Sequence, residues 1–270
     1  MKIGITGASG NLGTYLKKQF KDYNLDYFKG RIENKNDIIK WIRGKNFDAI
    51  IHLAAIVPTY IVNKNKNKAL IVNSNGTKNL IDTINKLHQK KIWFFFASTS
   101  HVYQFNKIAA KEIYKTKPIS YYGKTKLLCE KYILKKTKKI IPCIGRIFSY
   151  TAKKQDKKYI IPSIISKLSS KKKIIKFSNM NHVRDFLPIE DICSAIKVLF
   201  DNKSAGIFNI CSNKKISLID IANKINSKYK KKLIFDNSKS TILFGNNNKI
   251  LKLGWRPKKT RYENYLLKII

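Results

Sequence analysis

The first fifteen residues confine this chain to a small set of folds. MKIGITGASGNLGTY opens with a short β-rich run from Lys2 to Thr6, places glycines at 7, 10 and 13, and starts a helix near Asn11. Glycine permits positive φ and lets the backbone approach a ligand closely. A helix opening there aims free N–H groups and its dipole at a phosphate. An ordinary glycine-rich turn looks the same in isolation. A strand before and a helix after are what mark a dinucleotide loop. Gly7, Ser9, Gly10, Asn11, Leu12 and Gly13 are therefore the expected pyrophosphate-binding segment.

The alternation continues. "NLDYFKG" reads as a second strand, and "NKNDIIKWIRG" as a short amphipathic helix with Gly44 beyond its end. "FDAIIHLAA" and "KIWFFFAST" are apolar runs of the kind buried on both faces of a sheet, with the helical "NSNGTKNLIDTINKLHQ" between them. Strands alternating with helices predict an α/β fold, a Rossmann-type doubly wound parallel sheet with ligands at the strands' carboxyl ends. Residues 1–150 are expected to form the NAD(P)-binding core. Residues 151–270 are expected to form mainly a small, discontinuous substrate lobe, with a stretch at about 180–212 returning to the core.

Two further segments carry chemistry. "FFFASTSHVY" is a strand that runs out into hydroxyl side chains, and "SYYGKTK" puts Tyr122 four residues before Lys126. On a helix that spacing places both on one face, one turn apart. A solvated helix face is the plain alternative in a chain so rich in lysine; the surrounding Pro118, Ser120, Gly123 and Glu130 argue against it. Hydroxyls, a Tyr/Lys pair and a dinucleotide loop together point to hydride transfer at a carbinol carbon.

In order along the chain, "TGASGNLG", "HLAA", "NSNGTKNL", "ASTSHVY", "YYGKTK", "GRIFSY", "VRDFLPIEDI", "GIFNICSN" and "KLGWRP" resemble the extended short-chain dehydrogenase/reductases, specifically the sugar-nucleotide epimerase/reductase/dehydratase group. The resemblance implies a nucleotide-sugar substrate and a Thr-Tyr-Lys triad. Tyr122 would be the general acid/base; Lys126 and the positively charged nicotinamide would lower its pKa, and Lys126 would also hold the nicotinamide ribose. Thr99 would bond the substrate oxygen, with Ser98 and Ser100 close enough in sequence to be mistaken for it. Leu53, Ala54 and Ala55 would lie under the cofactor. The group's 4,6-dehydratases carry Asp-Glu after the threonine, where this chain has Ser100 and His101. His101 fills the slot in which 3,5-epimerase-reductases place a cysteine, but their partner histidine is Tyr159 here. His101 is thus a candidate for proton work or substrate contact. Arg184 would bind the diphosphate, Asn209 would face the substrate, Arg146 would be structural, and Asp185 would orient a neighbour or cap a turn. The triad serves a 4-reductase and a 4-epimerase equally.

Cofactor choice rests on the end of the second strand, where an acid would bind the ribose of NAD and a base the 2′-phosphate of NADP. Lys29 and Arg31 favour NADP, Glu33 argues for NAD, and Asp26 lies too early. The balance leans slightly to NADP, through Arg31.

Composition adds one competing idea. The net charge is +40, carried almost wholly by lysine. Runs such as "KKTKK" and "SSKKK" suit polyanions, so a non-catalytic nucleotide- or RNA-binding protein on the same fold is the alternative. Aromatics are not interleaved with these runs as a single-strand platform needs. Compositional drift on exposed positions, with no specific nucleic-acid partner, is the expectation. Four scattered cysteines without metal-ligand spacing imply no metal site and suit a reducing cytoplasm. No signal peptide or membrane span is read, and a homodimer is left open.

Overall fold

A computed structural model of the chain describes residues 1–57, 59–153, 155–258 and 262–269. β1 (Lys2–Thr6) leads through the glycine loop into α1 (Asn11–Gln19), followed by β2 (Asn24–Tyr27), α2 (Lys35–Ile42) and β3 (Ala49–His52). Two short helices, α3 (Thr59–Lys64) and α4 (Lys66–Ala69), pass through a π-helical stretch at Leu70–Asn75 into α5 (Gly76–Leu87). β4 (Ile92–Thr99), α6 (Tyr121–Lys135) and β5 (Ile140–Ile147) complete the first half.

The second half is more broken. It runs β6 (Ser149–Thr151), α7 (Ile160–Leu168), β7 (Ile174–Phe177), β8 (His182–Arg184), β9 (Phe186–Pro188), α8 (Ile189–Asp201) and β10 (Gly206–Ile210). β11 (Ile216–Ser217), α9 (Leu218–Asn226), β12 (Lys232–Phe235), β13 (Thr241–Leu243), α10 (Asn248–Leu251) and α11 (Tyr262–Ile269) follow.

The main sheet has six strands in the order β10-β5-β4-β3-β1-β2, every neighbouring pair parallel. This is the doubly wound α/β sheet that the alternating pattern predicts. Its logic is clearest in β4. Side chains alternate across a strand, and here both sets are apolar. Trp93 and Phe95 join Ile3, Leu16 and Phe200 on one face. Phe94 and Phe96 join Ile50, Leu80 and Cys129 on the other. Each fully buried phenylalanine contributes about 1.5–3 kcal/mol relative to exposure, so β4 anchors both helical layers and fixes the height of its own carboxyl end.

Beyond residue 150, β10 pairs with β5, and α8 packs against α1, with Phe200 and Phe20 rings 5.4 Å apart. The remaining strands form small sheets, β11-β8-β13, β12-β7 and β6-β9, over a separate cluster that includes Ile161, Phe177 and Ile221. Asp185, between β8 and β9, ties the two regions. Its buried carboxylate accepts from the Ser212 N–H and hydroxyl and from the N–H groups of Asn213 and Gly245. Among the described residues, no helix is long and apolar enough to cross a membrane.

Candidate active site

A cleft of about 1630 Å³ opens at the carboxyl ends of the central strands. The glycine loop, residues 29–33, 53–57, 97–101 and 147–150, Tyr122, Lys126 and Tyr159 form its walls. All the residues expected to bind the cofactor, from Gly7 to Gly13, Arg31, Leu53, Ala54 and Ala55, lie on these walls. The loop fits a dinucleotide. Gly7 has φ +71°, and a Cβ there would stand 2.6 Å from the Ala54 nitrogen, so no other residue fits without moving β3's end. The N-cap of α1 is Gly10, which brings no side chain to the helix's first N–H groups. Those groups are left for an anion.

Next to Tyr27 at the other end of this half of the cleft, but not itself on the wall, Asp26 is occupied. It accepts from Trp41 Nε1 and from Lys45 Nζ, each at 2.7 Å. Burial alone would raise its carboxyl, but these two donors and the nearby lysine charges outweigh it and hold the group below the usual range. Lys17, Lys29 and Arg31 share this end of the wall with Glu33. Arg31 reaches Glu33 at 3.4 Å with a largely exposed guanidinium.

The hydroxyls and the Tyr/Lys pair meet on the opposite half. Thr99 ends β4, and its Oγ1 accepts from the His101 N–H at 3.2 Å. Tyr122 and Lys126 lie on the buried face of α6, which Ser120 caps by accepting the Gly123 N–H at 3.0 Å. A Cβ on Gly123 would fall 2.2 Å from the His101 carbonyl oxygen, so glycine there lets α6 start directly against the end of β4. Lys126 Nζ donates to the Ala97 carbonyl at 2.7 Å and sits 4.5 Å from the centre of the Phe96 ring. Burial brings its pKa down to about 8.

The chain's own surroundings oppose ionisation of Tyr122. Burial pushes the phenol well above its ordinary value, and the neighbouring Tyr150 and Tyr159 push it further. The protein by itself keeps Tyr122 neutral, in the form that gives a proton away. At His101 burial, helped by the Arg184 charge, lowers the pKa to about 4, so the ring is neutral near pH 7.

The remaining expectations divide. Ser100 lies on the cleft wall. The Ser98 hydroxyl turns away to Glu130, as strand alternation requires. Arg184 lies in β8, outside the cleft wall, 5.2 Å from the Phe105 ring. Nη1 donates to the carbonyls of Val183 and Thr241, and Nη2 to Thr241 Oγ1. Nε and the second Nη2 hydrogen have no partner among the described residues. Asn209 does not face the cleft. It is fully buried, accepts from the Tyr103 hydroxyl at 2.8 Å, and donates to the carbonyls of Ala110 and Asn246. With both ends of its amide taken by protein groups, it is a structural residue.

Reading the sequence missed Tyr150 as a wall of the site and treated Tyr159 only as the replacement of a histidine. An aromatic directly after an apolar strand, as in "RIFSY", is the signal available for Tyr150. Glu130 was also undervalued. It takes the Ser98 hydroxyl and a bidentate bond from buried Arg146, at 2.7 Å through Nη2.

Known proteins resemble this chain in sequence and in fold. Residues 6–261 match the family described as GDP-mannose 4,6 dehydratase. A GDP-6-deoxy-D-talose 4-dehydrogenase from Aggregatibacter actinomycetemcomitans is 28% identical over 237 residues, covering 82% of this chain and 78% of that protein. A dTDP-D-glucose 4,6-dehydratase from Dictyostelium discoideum is 28% identical over 269 residues, covering 83% of this chain and 61% of the relative. Among solved structures, RMD from Pseudomonas aeruginosa complexed with NADPH has a TM-score of 0.89 at 20% identity, covering 99% of this chain and 97% of that one. The Thermus thermophilus UDP-glucose 4-epimerase complex with NAD has a TM-score of 0.87 at 15% identity, covering 100% and 98%.

Proposed function

The chain belongs to the GDP-mannose 4,6-dehydratase family, within the extended short-chain dehydrogenase/reductases, and from that premise we propose that it is a 4-reductase type of oxidoreductase for a nucleotide-activated sugar. The observation that carries the proposal is the pairing of a neutral, buried Tyr122 with Lys126 and Thr99 at the cleft, beside Ser100 and His101 rather than two carboxylates. Elimination of water needs an acid and a base next to the reacting carbons. Reduction of a ketone needs only one proton donor at the oxygen.

The bound nicotinamide supplies the hydride. Tyr122 gives its hydroxyl proton to the sugar's carbonyl oxygen, and Thr99 donates a hydrogen bond to the same oxygen. Lys126, tied to the Ala97 carbonyl, holds the nicotinamide ribose with its remaining hydrogens and favours the phenolate that Tyr122 leaves behind. The reverse direction runs the same transfers backwards. Arg184 has its end-on edge committed to Thr241. The free Nε and Nη2 hydrogens form the side edge that pairs bidentately with a phosphate, here one of the sugar-nucleotide's two. NADP is preferred, because Asp26 is engaged by Trp41 and Lys45 while Lys17, Lys29 and Arg31 are available for a 2′-phosphate.

The relative from Aggregatibacter actinomycetemcomitans makes GDP-linked 6-deoxyhexoses and their 4-keto forms the first compounds to try. The test follows NADPH and NADH absorbance across GDP-, dTDP- and UDP-sugars. Net consumption of NADPH with a 4-keto sugar supports the proposal. Sugar interconversion without net change would make the protein a 4-epimerase, and no turnover with any sugar would return it to the binding class.

A further inference from the structure

We infer that His101 is a substrate-contacting group in its own right: Ser120 fixes its ring as the Nε2–H tautomer, and that N–H donates a hydrogen bond to the sugar oxygen next to the reacting carbon. The inference rests on the nucleotide-sugar reading above and adds a contact that the Thr-Tyr-Lys triad does not include.

The tautomer follows from counting hydrogens. Ser120 Oγ lies 3.0 Å from His101 Nδ1 and accepts the Gly123 N–H at 3.0 Å as the cap of α6. A hydroxyl has one hydrogen to give. Placed on the Nδ1 contact, it satisfies the hydroxyl, the cap and the ring together. The other arrangement makes Oγ accept two N–H groups and leaves its own hydrogen without a protein acceptor among the described residues. With Nδ1 accepting, the one proton of a neutral imidazole must sit on Nε2. The ring is neutral because it is buried and lies near the Arg184 charge.

Placement gives the N–H its target. His101 is part of the cleft wall, its ring 6.1 Å from the Tyr122 ring and edge-on to it. Its carbonyl is engaged by the Ile119 N–H, and its own N–H by Thr99, so the residue is held from both sides. Nδ1 faces Ser120, and the opposite ring nitrogen has no protein partner among the described residues, nor is it among the buried unpartnered atoms. A preorganised neutral donor costs no proton transfer and no reorientation when the sugar arrives. Ser120 is in this scheme a positioning residue, acting only through His101.

The test has two arms, both on the full chain saturated with NADPH. In protein labelled with ¹⁵N-histidine, the His101 resonances are identified by their loss in His101→Gln. The inference expects a protonated Nε2 and a bare Nδ1 at pH 7, and Ser120→Ala to erode that preference. In the second arm, glutamine places its amide nitrogen where Nε2 lies, and asparagine where Nδ1 lies. His101→Asn should lose about 10²-fold in kcat/KM, the scale of one removed donor, and His101→Gln at least about tenfold less than that. NADPH affinity should be alike in both. A proton resident on Nδ1, or equal losses in the two variants, overturns the inference while leaving the reductase reading intact. Absence of turnover in the wild type with every nucleotide-sugar overturns that reading, and the contact with it.

Discussion

Lys126 Nζ is bonded to the carbonyl oxygen of Ala97 at 2.7 Å, two residues before Thr99 on the same strand. The contact pins α6 to the end of β4 and thereby fixes Tyr122 relative to Thr99. It also buries an ammonium group, whose pKa falls to about 8. The unfolded chain keeps its lysines near ~10.4. Below pH 8 the folded protein bears the full cost of this charge. Between pH 8 and about 10.4 the unfolded state binds the extra proton, so stability contributed at this site rises with pH. Lys126→Met should therefore raise unfolding stability at pH 7 by about 1–3 kcal/mol while abolishing turnover. Urea unfolding at pH 7 and pH 10 checks it. A variant less stable than wild type at pH 7 would mean that the Ala97 and Phe96 contacts outweigh burial.

Tyr122→Phe removes one oxygen from a buried side chain and leaves the ring packing in place. Turnover should drop by about 10²–10⁴, the usual worth of a positioned acid or base, with NADPH affinity nearly unchanged. Steady-state kinetics and cofactor titration separate the two. Activity within a few-fold of wild type would take Tyr122 out of the mechanism.

Cofactor choice can be read at Arg31. Its guanidinium is mostly exposed and only loosely held by Glu33. Arg31→Ala should weaken NADPH about tenfold, as one lost charge-assisted contact does, and leave NADH almost unaffected. Equal effects on the two cofactors would make Arg31 an ordinary surface charge. Lys17 and Lys29 would be the next positions to substitute.

The order of elements, the glycine loop and the Tyr/Lys face were legible because each depends on residues close in sequence: alternation along β4, glycines three apart, a four-residue helical step. What the sequence concealed depends on distant partners. His52 in "HLAA" bridges Thr6 at 2.6 Å and Thr77 at 2.9 Å, joining β1, β3 and α5, and burial pushes its pKa to about 3. Asn209 lies within β10, which rejoins the sheet, yet its amide is consumed by Tyr103, Ala110 and Asn246. At Tyr122 and His101 the burial of the rings is what the sequence does not show, and desolvation is the largest effect on both pKa values.

Glu130 and Arg146 should behave as a buried pair. Both side chains are almost wholly enclosed, and the carboxylate also holds Ser98, next to Thr99. Removing one partner leaves the other charged and unpaired. Glu130→Gln or Arg146→Met should each destabilise the fold by about 3–5 kcal/mol. The double variant should lose less than the sum of the two. Chemical denaturation of the four proteins gives the coupling directly, and strict additivity would show that the pair does not act as a unit.

The last prediction separates specific phosphate recognition from the general charge of +40. Arg184 offers a free side edge within a formed β8–β13 contact, whereas exposed lysines present mobile point charges. Polyanion binding through the latter releases counterions and falls steeply with salt. Binding of a nucleotide-sugar uses two phosphates together with packing, so its salt dependence should be shallow. Titrations with RNA and with a GDP-sugar, from low to physiological salt, should give opposite patterns. RNA binding should disappear at physiological salt and be indifferent to Arg184→Ala. GDP-sugar binding should persist, and should weaken about 10- to 100-fold in that variant. Tight, sequence-selective RNA binding at physiological salt, with no turnover of any nucleotide-sugar, would reverse the assignment and make the lysine-rich surface the functional one.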